Sequence, residues 1–311
     1  MSEIAIMGGI AADIEGRPSG TLIYADSNPG KIKISYGGVS RNITENLARM
    51  GADVSFCSIA GNDFTGRSAK QQLEELGVDV SGVKLIDGES TAMYLSILDD
   101  RGDMELALCN MDILERIDTG FIDSAASALR QAKIVGTDTN MTEENIYYLT
   151  EQLQDTPIFI DPVSVTKAER IKKFAGRFHT VKPNRIEAQA ISGIEIKDDD
   201  DLRRAADWFL NEGVKRLFIT LGEGGVFFAD EHESGIIRAG KVNTVSATGA
   251  GDAFSAACLK AFADGLGIEE TAVSAMAASV IALEAHAAVN PKMSAELLAK
   301  RITDIQSGNE D

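Results

Sequence analysis

The feature that most constrains this chain is a rhythm. Short apolar runs at residues 4–7, 54–59, 134–136, 158–160, 180–181 and 217–221 each stop at glycine or at a proline-containing turn, and stretches of helical period lie between them. Residues 66–76, 143–154 and 201–212 read as helices; in the last, Leu202, Ala205, Ala206 and Phe209 share one face. Strands that are apolar throughout need cover on both faces. The rhythm therefore predicts an α/β fold, a mostly parallel doubly wound sheet, with ligands beyond the carboxyl ends of the strands. A chain of 311 residues, 44% apolar, has enough material for such a core. We expect one domain over residues 1–311.

Two segments break the rhythm. Residues 15–36 are polar and turn-rich, with alternation at Lys31-Ile32-Lys33-Ile34-Ser35-Tyr36. Residues 91–108 alternate around the turn Asp99-Asp100-Arg101-Gly102, with Met93, Leu95, Ile97, Met104, Leu106 and Leu108 on one side of the pattern. Alternation marks half-exposed strands, so both segments predict a small accessory sheet inserted in the domain. Residues 271–283 form an alanine-rich run, too short to cross a bilayer, that reads as a buried helix.

Charge narrows the partners. Lys and Arg number 30 against 48 Asp and Glu, a formal charge of −18. Such a chain repels nucleic acid. It also repels ATP, so a nucleotide site would need local donors such as helix N-termini and glycine turns. Cys57, Cys109 and Cys258 are scattered, and His179, His232 and His286 lack ligand spacing. A reducing cytoplasm fits, and the first residues, Met1-Ser2-Glu3-Ile4, carry no secretory pattern.

Four loops carry candidate chemistry. Ala247-Thr248-Gly249-Ala250-Gly251-Asp252 follows a strand expected at 236–242 and opens a helix marked by Phe254, Ala257, Cys258, Ala261 and Phe262. Its glycines can turn N–H groups toward one point, where they would hold the charge of a transferring phosphoryl group. Asp252 at the helix start reads equally as an N-cap or as a base for an attacking hydroxyl. Gly37-Gly38-Val39-Ser40-Arg41-Asn42 leads into another helix, and Asn42, with Asp13 after the first strand, suits a polyol or reads as a loop residue. Lys182-Pro183-Asn184-Arg185-Ile186-Glu187 sets an amide and a carboxylate one helical turn apart, which suits water-mediated Mg²⁺ or a capping pattern. Thr220-Leu221-Gly222-Glu223-Gly224-Gly225 is a glycine turn between strands that could admit a nucleotide or simply close a hairpin. Walker A is absent, because Gly30-Lys31 and Gly240-Lys241 precede Ile32 and Val242; no GxGxxG follows the first strand.

In this order and context, the loops resemble the ribokinase (PfkB-type) family of carbohydrate and nucleoside kinases over nearly the whole chain. The resemblance implies that Asp252 is the base and that the Gly249, Ala250 and Gly251 amides form the anion hole. It implies that Asp13, Gly37, Gly38 and Asn42 hold a ribose, and that Asn184 and Glu187 organise phosphate and Mg²⁺, with Glu187 reaching the metal through water. Thr220, Gly222, Gly225 and Thr248 would border ATP. The two alternating segments resemble the family's β-sheet lid, which often pairs two subunits, so a homodimer is expected. Residues 24–31, 37–42, 179–185 and Asp161-Pro162-Val163-Ser164 with Lys167 are similar to members that act on pseudouridine. That likeness implies phosphorylation of its 5′-hydroxyl, with Tyr24, Asn28 and Lys167 as candidates for reading the base. Ser246 stands where many members carry an aspartate that helps hold potassium, which leaves monovalent-cation use open, and Met276 predicts an apolar adenine contact. Kinases of ribose, other nucleosides or sugar acids share the same catalytic loop, and a non-catalytic binding protein on this fold is the alternative of another class.

Overall fold

A computed structural model describes residues 2–238, 240 and 244–308. The central sheet has nine strands in the order β13-β12-β11-β10-β9-β8-β1-β4-β5. These are β1 (Ile4–Met7), β4 (Val54–Gly61), β5 (Val83–Ile86), β8 (Ile134–Asp138), β9 (Ile158–Asp161), β10 (Thr180–Val181), β11 (Arg216–Thr220), β12 (Val226–Ala229) and β13 (Ser234–Ile237). From β5 to β11 all neighbours run parallel; β12 and β13 finish the sheet antiparallel. The reason lies in connection length: β11 reaches β12 through a short glycine turn, and only antiparallel strands can be joined that way.

Helices cover both faces. They are α1 (Val39–Arg49), α2 (Phe64–Glu75), α3 (Thr119–Leu129), α4 (Glu143–Gln152), α5 (Val165–Ala168), α6 (Arg185–Ser192), α7 (Asp199–Glu212), α8 (Ala250–Ala263), α9 (Ile268–Leu283) and α10 (Ala295–Gly308). Strand β1 shows the consequence for sequence. Ile4 and Ile6 join the core under α1, α8 and α9, while Ala5 and Met7 join the core under α3 and α4. The acidic run before α7 is a helix start, with Asp198 accepting from the Asp201 N–H at 3.0 Å. The alanine-rich run lies within α9, which is buried along most of its length. No helix among the described residues is long and apolar enough to cross a membrane. The strand expected at 236–242 runs instead over Ser234–Ile237; of the expected positions, 239, 241 and 242 lie outside the described residues, Lys241 of the Gly240-Lys241 pair among them.

A second sheet has the order β3-β2-β6-β7, from β2 (Ala11–Pro18), β3 (Gly30–Gly37), β6 (Ala92–Leu98) and β7 (Met104–Asn110). Its first strand starts at Ala11 rather than near residue 15, because Ala11 and Ala12 pair with Gly37 and Tyr36 while still buried against the main body. The registers put Ile34, Ile14, Leu95 and Leu108 in one cross-strand row, and Ile32, Gly16, Ile97 and Leu106 in the next. The opposite face carries Ser35, Asp13, Tyr94 and Cys109 in one row. One face of this sheet is thus apolar and the other polar. The apolar face is uncovered: Ile32 is 77% exposed and Leu108 62%.

Candidate active site

The carboxyl ends of β8, β9 and β10 meet the first turns of α1 and α8. At α8, Gly249 has φ +82°, and a Cβ there would lie 1.7 Å from the carbonyl oxygen of Ala288. Only glycine makes this turn. The helix then begins without a side-chain cap. Ala253 makes the first helical bond, to Gly249 O at 3.0 Å, and the Ala250 N–H leans toward Ala247 O at 3.5 Å. The N–H groups of Gly249, Gly251 and Asp252 have no acceptor among the described residues. Open amides at the positive end of a helix form an anion site.

Asp252 stands in that first turn, and it does not cap the helix. Asn42 donates from Nδ2 to Asp252 Oδ2 at 2.8 Å. Arg41 Nη1 donates to Asn42 Oδ1 at 3.1 Å, which fixes the direction of the amide. The Arg41 guanidinium is itself buried, bonded to Tyr36 O and Gln72 Oε1 and paired with Glu45. Burial pushes the Asp252 carboxyl up to about 7; the charge of Asp161 adds to the rise, and Asn42 and Lys182 oppose it. A carboxyl in that range can take a proton from an alcohol near neutral pH.

Buried polar groups surround it. Asp138, at the end of β8, accepts from the Ser40 N–H at 3.0 Å and from its hydroxyl, and burial holds its carboxyl above the usual range. Asp161, at the end of β9, accepts from Ser255 Oγ at 2.8 Å and from the Val163 N–H at 3.0 Å. Lys182, just past β10, pairs with Asp161 Oδ2 at 2.8 Å. Val163 takes φ +64°, an uncommon conformation for a β-branched residue, in the turn that shapes this corner.

The other expected residues fall in three groups. Asp13, Gly37 and Gly38 lie together where the small sheet joins α1: a Cβ on Gly37 would meet Asp13 Oδ2 at 2.1 Å, and Gly38, at φ +99°, faces Gly9 O. Burial raises Asp13 above the usual carboxylate range, against the opposing pull of Arg41. Asn184 and Glu187 form a capping box on α6. Asn184 Oδ1 accepts from Ile186 and Glu187 N–H at 2.9 Å, and Glu187 Oε2 accepts from Asn184 N–H at 2.8 Å. Glu187 Oε1 keeps no protein partner among the described residues, and burial raises this carboxyl. The capping and ligand readings are therefore compatible. Thr220 bridges to Asn184 across the sheet end, and Gly222 and Gly225 make the β11–β12 turn, both at positive φ. The Thr248 N–H donates to Ser246 Oγ at 3.2 Å, so Ser246 shapes the loop that leads into α8. Met276 is buried in α9.

Tyr24 and Asn28 lie apart, in the exposed loop between β2 and β3. The Tyr24 hydroxyl donates to Glu105 of β7, and the Asn28 side chain closes its own loop on Ile23. Lys167 donates to Asn140 Oδ1 at 2.6 Å, and the Asn140 N–H donates to Asp138 Oδ1 at 2.7 Å, so it reaches the site through Asn140. Arg41, Asp138, Asp161, Lys182 and Ser255 were given no role by sequence reasoning. The available signal was position: Asp138, Asp161 and Lys182 each follow or end an apolar strand run.

The chain matches the model of the pfkB family carbohydrate kinases over residues 1–295. It is 36% identical to the pseudouridine kinase of Escherichia coli K12 over 292 residues, 94% of this chain and 93% of that protein. It is 27% identical to the guanosine-inosine kinase of Exiguobacterium acetylicum, over 91% of this chain and 95% of that one. Arabidopsis thaliana ribokinase, solved with ribose and ATP, superposes with a TM-score of 0.82 at 18% identity, covering 97% of this chain and 98% of that one.

Proposed function

Because the chain belongs to the pfkB family of carbohydrate kinases, and so is a phosphotransferase acting on an alcohol, we propose that its acceptor is pseudouridine, phosphorylated by ATP at the 5′-hydroxyl. One observation carries the chemistry: the Asp252 carboxyl, pushed up to about 7, sits in a helix first turn whose amides are open. Asn42 holds Oδ2, which leaves Oδ1 to accept the proton of the acceptor hydroxyl. The oxygen then bonds to the γ-phosphorus, the bond to ADP breaks, and the Gly249–Asp252 amides hold the charge that spreads over the transferring group. The specific acceptor rests on the 36% identity to a pseudouridine kinase.

Asp13 and Asn42, flanking Gly37 and Gly38, would bind the ribose hydroxyls. Asn184, Thr220, Gly222, Gly225 and Thr248 would border ATP. The donor set fits Mg²⁺: it offers one buried carboxylate oxygen, on Glu187, and the ion typically takes its remaining ligands from phosphate and water. Bound there, the ion would neutralise charge between the β- and γ-phosphates. We read residues 1–311 as one kinase domain whose four-stranded sheet is a lid. The apolar lid face, with four large side chains more than half exposed in Ile32, Ile34, Leu106 and Leu108, supports a homodimer through that face. The ATP requirement and three unpaired cysteines fit the cytoplasm.

The test is phosphate transfer to pseudouridine, uridine, ribose, guanosine and inosine. Pseudouridine should give the highest kcat/KM. Turnover of ribose or guanosine without pseudouridine would remove the specific acceptor and keep the kinase. Background ATP turnover with every acceptor, equal in wild type and Asp252→Asn, would sink the kinase reading.

A further inference from the structure

A buried ammonium, that of Lys182, stands among the carboxylates of the site. Lys182 Nζ lies 2.8 Å from Asp161 Oδ2 and 3.4 Å from the place a Cβ would occupy on Gly251. Its side chain is 7% exposed and that of Asp161 5%. The ammonium therefore sits between Asp161 and the turn that carries Asp252. Ser255, one helical turn after Asp252 on α8, bonds the same Asp161 oxygen, so the pair is fastened to the helix that bears the base.

We propose that Lys182 is a positioning residue for the base: its ammonium cancels the field of Asp161 at Asp252 and so decides whether Asp252 is free to take the acceptor's proton at neutral pH. The charges facing Asp252 are few. Asp138 comes from β8, Asp161 from β9 and Lys182 from the end of β10, with Glu187 of α6 beyond Lys182. From α1 comes the neutral Asn42 amide, with Arg41 and Glu45 paired behind it. Strand β1 and residues 271–283 of α9 bring no charged side chain. Two carboxylates thus repel a charge on Asp252, and a single cation opposes them from within the low-dielectric interior, where such terms are large. Remove the cation and the base keeps its proton.

The proposal rests on Asp252 being the base, and its test separates the two. The Asp252 carboxyl is titrated directly by carbon-13 NMR of aspartate-labelled protein, assigned by its absence in Asp252→Asn, in wild type, Lys182→Met, Lys182→Arg and Asp161→Asn. The midpoint should rise by about one to two pH units in Lys182→Met, the effect of a unit charge several ångströms away at an effective dielectric of about 20. It should stay near wild type in Lys182→Arg and fall in Asp161→Asn. The acid limb of kcat/KM should move with it, so that alkaline pH restores Lys182→Met activity; a merely structural loss would depress activity at every pH. An Asp252 midpoint unmoved in Lys182→Met, or in Asp161→Asn should Lys182→Met fail to fold, overturns the proposal. A midpoint that moves while the kinetic limb stays keeps the role of Lys182 and removes Asp252 as the base.

Discussion

A carboxylate becomes a stronger proton acceptor when something makes its charged form uncomfortable, and at Asp252 that discomfort is chiefly burial. It has a cost in stability. The folded chain holds this proton up to about pH 7, whereas the unfolded chain releases it near 3.8. The raised value means that its contribution is complete below pH 3.8 and is lost as the pH climbs through about 7. Asp252→Asn should therefore be the more stable protein at pH 8, by roughly 3–4 kcal/mol, and close to wild type at low pH, as read from urea midpoints at both pH values. The same variant should lose about 10² to 10⁴ in kcat. Wild-type kcat/KM should fall about tenfold per unit as pH drops below about 7. The loop, its glycines and Asp252 were legible in the sequence because each is a local feature. The partners that set the charge of Asp252 were not. Asp161 and Lys182 are far apart in the chain and become neighbours only when β9 and β10 pair in register; no spacing rule encodes that contact.

At the scale of elements, the site is built from ends. Strands β8, β9 and β10 stop in Asp138, in Asp161 and just before Lys182, while α1, α6 and α8 begin in Val39, Arg185 and Ala250. Where an element stops matters more than what it contains. Gly249→Ala tests this: with φ +82° and Ala288 O at 1.7 Å from the new Cβ, the turn must move, and roughly 3 kcal/mol or more of stability should go with it in a urea titration. On α6, Asn184→Ala removes the acceptor of two N–H groups and should cost about 1 kcal/mol in the same measurement. Glu187→Gln keeps a hydrogen-bonding oxygen for the capping box but weakens the metal side, so it should raise the Mg²⁺ concentration needed for half-maximal rate about tenfold with little change in stability. The buried strands were readable because apolar runs covered on both faces have few alternatives. The loop with Tyr24 and Asn28 was not, because its side chains answer to each other and to Glu105 rather than to a periodic core.

The whole molecule is acidic, and among the described residues the four-stranded sheet leaves a large apolar face open. If two copies meet there, Ile34→Lys with Leu108→Lys, two members of one cross-strand row, should convert a dimer to a monomer in sedimentation equilibrium and leave the main domain's thermal transition in place. That row also carries a constraint on descent. Asp13 and Ile14 are consecutive, and a strand shows consecutive residues to opposite sides. One would speak to the nucleoside and the other to a second chain. Inserting a single residue early in β2 would exchange the two audiences, setting a carboxylate against the neighbour's apolar face and an isoleucine against the sugar. On the roles proposed for the two faces, length changes in this sheet would be inherited only in pairs, and sugar binding and assembly would evolve on the same parity.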